Sequence, residues 1–252
     1  MPVQIVNANP KYSKVHLIEP TSLGYVYLAA AVRPGPLPVI PPSRTRAKLL
    51  RRLKELIHDV ERLEGVVDAT VFRGIVKPPT VRFSSYLKEH EGKLPIANFD
   101  VAALIQTTSL ATAHALQRKP AYLALLSAIE ARTDVVHVMT ACNARRIGDV
   151  DTTRGGLFLF NHFAADDPDV MLELWEYLAD WYVKETGLDN SVALVPERAE
   201  ASPYRIVNWA RWESGALRHF WRQLSKKAFW RYVTQNLDAN HAASMPIYCR
   251  LA

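Results

Sequence analysis

Side chains in the second half of the 252-residue sequence have the types and spacing that chemistry in a hydrophobic pocket requires. Asn161 stands within the apolar run LFLFNHF, and leaving a buried amide unpaired costs about 1–3 kcal/mol, so its carboxamide needs a hydrogen-bond partner. A ligand oxygen that accepts a hydrogen bond is one such partner. His219 is the candidate general base, because an imidazole pKa of about 6.5 suits proton abstraction near neutrality. The aromatic residues nearby predict a flat, apolar slot for an aromatic ligand: Trp209, Trp212, Trp221 and Phe229.

Each of these residues also has a structural interpretation. The amide of Asn161 can bond to the protein itself, a histidine on a helix is commonly a surface residue, and aromatic side chains commonly fill a core. His162 follows Asn161 directly, so strand alternation predicts that the two side chains point to opposite faces of the sheet. If Asn161 faces a pocket beneath a helix, His162 faces the interior between two sheets.

The elements that must position these residues follow from hydrophobic periodicity, which gives both halves of the chain the order β-α-β-β-α-β. In the first half, strands are predicted at 24–34, 66–77, 99–108 and 133–142, with helices at 44–64 and 110–131. In the second half, strands are predicted at 155–165, 190–197, 204–212 and 244–252, with helices at 168–186 and 216–237. A long polar insertion at 80–97 belongs to the first half alone.

The two halves also align in sequence. Segments 99–116 and 204–221 match without a gap, and His114 and His219 fall at the same position, which suggests an internal repeat. Two such units predict an α+β fold in which two ferredoxin-like repeats, each with a four-stranded antiparallel sheet, pack sheet to sheet as a barrel within one chain. The predicted divisions are an N-terminal arm at 1–23, a first repeat at 24–142, a linker at 143–154 and a second repeat at 155–252 that carries the pocket.

A sequence pattern in the second half resembles that of the dimeric α+β barrel superfamily. It consists of Trp212-Glu213-Ser214 at the end of a strand, Trp221 nine residues later and Asn161 in the first strand of the same half. The resemblance is to its antibiotic-biosynthesis-monooxygenase and haem-degrading monooxygenase branch. In the order of secondary-structure elements, the resemblance covers both repeats, although the motif residues lie only in the second. It implies a pocket walled by Trp212 and Trp221, in which Asn161 stabilises an oxyanion of the substrate as it reacts with O2.

Haem-degrading members of that branch hold iron through a histidine about ten residues after the helical tryptophan, which the resemblance places near residue 231. The residue there is Arg231, and a guanidinium has no lone pair to offer iron. Its neighbours Phe229, Trp230 and Tyr232 include no imidazole. The sequence therefore predicts that no cofactor is used, and haem held by an unusual ligand is the disfavoured alternative.

The leading hypothesis is a cofactor-independent, monooxygenase-like enzyme that acts on an aromatic or polyketide-like hydrophobic compound. The alternatives are a non-oxidative cyclase or lyase of the same superfamily, a ligand-binding or structural protein without chemistry, and a haem-binding member. The first repeat has Thr107 and Leu116 where the second has Trp212 and Trp221, so the first repeat is predicted only to complete the barrel.

The composition of the chain limits the kinds of partner that it is expected to bind. The net charge is +6, but the most basic segment, 44–64, mixes both signs along one helix, which is typical of a solvated face and disfavours nucleic acid. The apolar stretch at 23–32 is far shorter than the roughly 20 residues of a membrane span, and the N-terminus lacks the pattern of a signal peptide, so a cytoplasmic location is the default expectation. The two cysteines, Cys142 and Cys249, form no metal-binding motif. The expected partners are a hydrophobic small molecule and O2, with homo-oligomers through outer surfaces left open.

Overall fold

The computed structural model describes residues 2–8, 12–35, 38–198, 202–213 and 227–252. Eight antiparallel strands close into a barrel in the order β1-β3-β2-β8-β5-β7-β6-β4. The strands are β1 Gly24–Ala30, β2 Val66–Val76, β3 Val101–Thr107, β4 Val136–Gly148, β5 Leu157–Ala165, β6 Ser191–Pro196, β7 Ile206–Trp212 and β8 Ala242–Leu251. The predicted α+β class and the predicted barrel are confirmed.

Helices cover the outside of the barrel. They are α1 Arg44–Glu61, α2 Ser85–Glu89, α3 Leu110–Leu116, α4 Pro120–Glu130, α5 Pro168–Thr186, α6 Lys227–Phe229 and α7 Gln235–Ala239, with a 3-10 turn at Pro79–Phe83 and a π-helical turn at Trp230–Thr234. In the described part of the chain, no helix is long and apolar enough to cross a membrane.

Each half of the chain forms one half of the barrel. In the first half β1 lies between β3 and β4, and in the second half β5 lies between β7 and β8. The two half-barrels join through β2 with β8 and through β4 with β6. Strands β3 and β7 are both seven residues long and occupy the same positions in the two aligned segments, which agrees with an internal repeat.

Local sequence explains where the long helices begin and end. Ser43 caps α1 by accepting a hydrogen bond from the Arg46 amide, and Asp167 caps α5 by accepting from the amides of Asp169 and Val170. Helix α5 ends at Gly187, whose φ of 68° lies in the left-handed region that glycine adopts without strain. The cap and the terminating glycine define the two ends of α5, which lies across the outer faces of β5 and β7.

Three boundaries differ from the sequence-based expectation. Strand β4 continues to Gly148, six residues into the predicted linker at 143–154, because its last part pairs with β6. The predicted helix at 110–131 is divided into α3 and α4, with Pro120 in the first turn of α4, where a missing amide hydrogen does no harm. The predicted helix at 216–237 extends to Ala239, and its residues 216–226 lie outside the described residues.

The N-terminal arm lies along the second repeat. Polar side chains of that repeat bond to its backbone, and Asn240 does so twice, accepting from the amide of Gln4 at 2.7 Å and donating to its carbonyl at 2.7 Å. Asn236 accepts from the amide of Val6 and Asp180 accepts from the amide of Val15. The arm therefore adds backbone hydrogen bonds rather than a strand to this face of the barrel.

Candidate functional site

A cavity of about 20 Å³ lies between α5 and the outer faces of β5 and β7. This volume accommodates about one water molecule, so a larger ligand would have to displace side chains of the cavity wall. Its walls are mostly apolar, with Leu159 and Phe163 from β5 and Leu178 from α5. Apart from Ile147 of β4, the lining residues come from elements of the second repeat.

Strand alternation brings Asn161 to this cavity and takes His162 away from it. The side chains of Leu159, Asn161 and Phe163 point outward toward α5, whereas those of Phe160 and His162 point into the barrel. In the interior, His162 donates from Nδ1 to the carbonyl of Met245 at 3.2 Å and accepts at Nε2 from the Tyr27 hydroxyl at 3.0 Å. His162 is thus a hydrogen-bonded core residue.

The carboxamide of Asn161 is buried in the cavity wall, and its oxygen is unsatisfied within the part of the chain that the structure describes. The side chain is 2 % exposed, and Oδ1 has no hydrogen-bond partner among the described residues. Leaving such an atom unpaired costs about 1–3 kcal/mol. A water molecule or a ligand can supply the missing partner, which makes this oxygen a candidate binding position.

A second carboxamide, Asn208, stands directly opposite Asn161 in the register of β5 and β7. Its Oδ1 accepts from Trp175 Nε1 at 3.0 Å and from Ser191 Oγ at 2.7 Å, which occupies both lone pairs of the oxygen. Its Nδ2 has no acceptor among the described residues, and the side chain lines the cavity. Asn208 was not among the residues predicted from the sequence, although it is a polar residue in the apolar strand IVNWARW and shares a strand face with Trp212.

Aromatic side chains close the cavity. Trp212 lines it, as predicted, and donates from Nε1 to Thr186 Oγ1 at 3.1 Å. Trp175 and Tyr182 of α5 complete these walls. Burial raises the pKa of the Tyr182 hydroxyl above its usual value, so this phenol stays protonated at neutral pH. Three aromatic side chains therefore line the cavity, with Trp175 and Tyr182 in addition to Trp212, whereas Trp209 does not.

Two of the predicted wall residues lie elsewhere. Trp209 is three residues from Trp212, an odd separation, so strand alternation turns it into the barrel interior, where it is 1 % exposed. Phe229 packs its ring 5.4 Å from that of Trp181 and borders a different cavity near α7 and β8. The other two predicted residues, His219 and Trp221, lie outside the described residues, and their roles stay predictions.

The equivalent place in the first repeat is apolar. Because Gly24 pairs with Thr107 as Leu157 pairs with Trp212, the counterparts of Asn161 and Asn208 are Leu28 and Ala103. Both are fully buried in the core that packs beneath α1. The carboxamide pair is therefore a property of the second repeat alone.

The described lining does not suit haem. Haem iron takes an imidazole, a thiolate, a thioether or a phenolate as its axial ligand. Of the described residues around the cavity, Tyr182 alone has one of these groups, and burial disfavours its ionised form. Over the described ranges as a whole, no group of three or more histidine, cysteine or acidic side chains is placed to hold a metal ion.

Comparisons with known proteins bear on the fold. No family model matches the chain, and no curated protein sequence shows significant similarity to it. An anthrone oxidase-like protein has a similar structure, with a TM-score of 0.60 and 14% identity over 93% of this chain and 94% of that one. A candidate monooxygenase from Fusobacterium nucleatum has a TM-score of 0.54 and 9% identity, again over 93% and 94%. A candidate monooxygenase from Lactobacillus acidophilus NCFM has a TM-score of 0.52 and 7% identity, over 90% and 94%.

At these identities the similarity is one of fold. The eight-stranded antiparallel barrel, its two β-α-β-β-α-β halves and the matching structures show that the chain has the dimeric α+β barrel fold, with both halves of the barrel on one polypeptide. The resemblance carried by the sequence motif is confirmed at this level.

Proposed function

We propose that the protein binds an aromatic or polyketide-like hydrophobic compound in the cavity beneath α5 and oxidises it with O2 without a cofactor. The observation that carries this proposal is the carboxamide of Asn161, which is buried in an aromatic-walled cavity with an oxygen that no described residue satisfies. Its counterpart Asn208 offers a free amide donor on the same wall.

Oxidation without a cofactor requires that the substrate itself supplies electrons to O2. A methylene group conjugated with a ketone through aromatic rings is acidic enough to lose a proton to a general base, a role that the proposal gives to His219. The resulting enolate is an oxyanion, which amide donors stabilise as its charge develops. It reduces O2, and loss of water from the resulting hydroperoxide leaves a carbonyl. In the balance, one methylene group and one molecule of O2 become one carbonyl group and one molecule of water.

The names of similar structures support this reaction type. One of them is described as anthrone oxidase-like and two others as candidate monooxygenases. Since these are similarities of fold, they make the reaction class plausible and leave the substrate to experiment.

Binding without chemistry is the second candidate, and one observation favours it. The described residues around the cavity include no carboxylate and no imidazole, so the described wall holds no general base of ordinary pKa. The two candidates therefore differ in whether His219 acts on a bound compound.

Anthrone, an aromatic ketone with an acidic methylene group, is a direct probe. Oxygen uptake and anthraquinone formation are measured with the purified chain, after subtraction of spontaneous oxidation. We expect turnover that His219→Gln abolishes and that His114→Gln, the same change at the matching position of the first repeat, leaves intact. Tight binding without oxygen uptake would replace the enzyme by the binding protein, and absence of binding would refute both.

A further inference from the structure

The two carboxamides of the cavity are held in different ways. The indole N–H of Trp175 can only donate, so the atom that it meets on Asn208 must be the oxygen. The Ser191 hydroxyl bonds to the same oxygen and fixes the amide further. Asn161 has no hydrogen bond to a described residue that would fix which end of its amide faces the cavity.

We propose that this pair is a binding site for one phenolic or enolic hydroxyl group of the ligand, in which Asn208 is a fixed donor and Asn161 exchanges between acceptor and donor. The proposal rests on the proposed function in that it uses the same cavity. It adds a new ligand-binding residue, Asn208, and two residues that position it, Trp175 and Ser191.

Geometry allows a single oxygen to meet both amides. Residues directly opposite in an antiparallel pair have Cα atoms about 4.5–5.5 Å apart, and their side chains leave the sheet on the same face. A hydroxyl group has one donor and two acceptor positions. A neutral ligand hydroxyl can therefore donate to Oδ1 of Asn161 while it accepts from Nδ2 of Asn208.

Ionisation of the ligand changes what the oxygen needs. Once its proton has left for a base, the oxyanion can only accept, and the oxygen of Asn161 repels it. Half a turn about the last side-chain torsion of Asn161 presents Nδ2 instead, and this rotation breaks no hydrogen bond to a described residue. Both amides then donate to the anion, and such charge-assisted bonds are roughly twice as strong as neutral ones.

The pair would therefore bind the ionised ligand more strongly than the neutral one. No bond other than O–H breaks in this step, and no electron is transferred. A neutral hydroxyl is recognised first, and the stabilisation increases as the proton leaves. This is the order of events that a base-initiated reaction with O2 requires.

The test uses 4-nitro-1-naphthol, an apolar phenol whose anion absorbs visible light, and measures the pKa of the bound probe by spectrophotometric titration. Asn208→Leu and Asn161→Leu each remove one amide without adding charge. We expect each to raise the pKa of the bound probe by about one unit relative to the unsubstituted protein, since each removes one charge-assisted hydrogen bond.

Two further variants separate positioning from packing. Trp175→Phe combined with Ser191→Ala removes both donors that fix Asn208, and the bound probe should again have a raised pKa. Trp209→Phe is the matched control, because this indole is adjacent to Asn208 in sequence but points into the barrel, with no partner for its Nε1 among the described residues. It should leave the pKa of the bound probe unchanged.

A measurement on the unsubstituted protein keeps the inference testable even if a variant fails to fold. The methyl ether of the probe has no O–H to donate, so it should bind at least about tenfold more weakly than the naphthol, as expected for one lost hydrogen bond. Equal affinities, or equal bound pKa values across the asparagine variants and the control, would overturn this inference while leaving a hydrophobic binding site. Failure of both probes to bind would overturn the proposed function as well.

Discussion

The barrel interior holds two histidines, and replacing one of them should reduce the protein's sensitivity to acid. Burial lowers the pKa of His162 to about 3 and that of His137 to about 4. Both are neutral in the folded state at pH values where the unfolded chain, with histidine pKa values of about 6.5, takes up protons. Their contribution to stability is therefore complete above about pH 6.5 and is lost as the pH falls toward the folded-state values.

The size of this effect follows from the two pKa values. Between about pH 7 and pH 4.5, protonation of the unfolded state removes folding free energy on the order of 2 kcal/mol for each histidine. Domains of this kind have total stabilities of about 5–15 kcal/mol. The two side chains should thus dominate acid unfolding in this pH range.

His137→Phe isolates one of the two contributions. Nε2 of His137 is buried without a partner among the described residues, and its ring lies nearly parallel to that of Phe99, so a phenyl ring suits the site. Urea unfolding followed by tryptophan fluorescence should show that the variant loses less folding free energy than the unsubstituted protein between about pH 7 and pH 4.5, by an amount on the order of 2 kcal/mol.

The same substitution at His58, which is exposed on α1, provides the control and should leave the pH dependence unchanged. The reasoning would be wrong if His137→Phe and the unsubstituted protein lost the same free energy over this range. It would also be wrong if His58→Phe reduced the loss as much as His137→Phe does.

Three further predictions concern the described packing and the cofactor. Arg46→Ala should lower the free energy of unfolding by about 3–5 kcal/mol, because it leaves the fully buried Asp100 carboxylate without its ionic partner at 3.1 Å. Arg52 belongs to an exposed pair on the same helix, so Arg52→Ala should change the free energy by less than about 1 kcal/mol in the same urea titration. Asn240→Ala should speed amide hydrogen exchange at Gln4 by at least about tenfold. The amide of Val15, which donates to Asp180, should keep its protection, and equal acceleration at both amides would argue against a local contact. Added haemin should bind without the Soret shift of histidine ligation, and a tight one-to-one complex that His219→Ala abolishes would contradict this expectation.

Much of the fold could be predicted from the sequence because hydrophobic periodicity is a local signal. It placed Asn161 and His162 on opposite faces of β5 and indicated a repeat through the matching positions of β3 and β7. The length of β4 could not be predicted this way, since its last residues are ordered by pairing with the distant strand β6.

The composition of the site was harder to predict, for two different reasons. The face of Trp209 follows from counting three positions back from Trp212, so simple alternation was sufficient to exclude it from the pocket. The pairing of Asn161 with Asn208 depends on a register between strands 47 residues apart in the chain, and the hydrogen bond from Trp175 depends on how α5 lies across them. Neither is encoded in a local pattern.

Placing both half-barrels on one polypeptide has a consequence for how this fold can evolve a polar site. In a symmetric homodimer every substitution occurs twice, so an unsatisfied amide such as that of Asn161 would carry its cost of about 1–3 kcal/mol in both halves of the barrel. In the single chain the cost arises once, and Leu28 and Ala103 keep the other half apolar and well packed. On a single chain, one half of the barrel can therefore carry a polar pair while the other half keeps an apolar core.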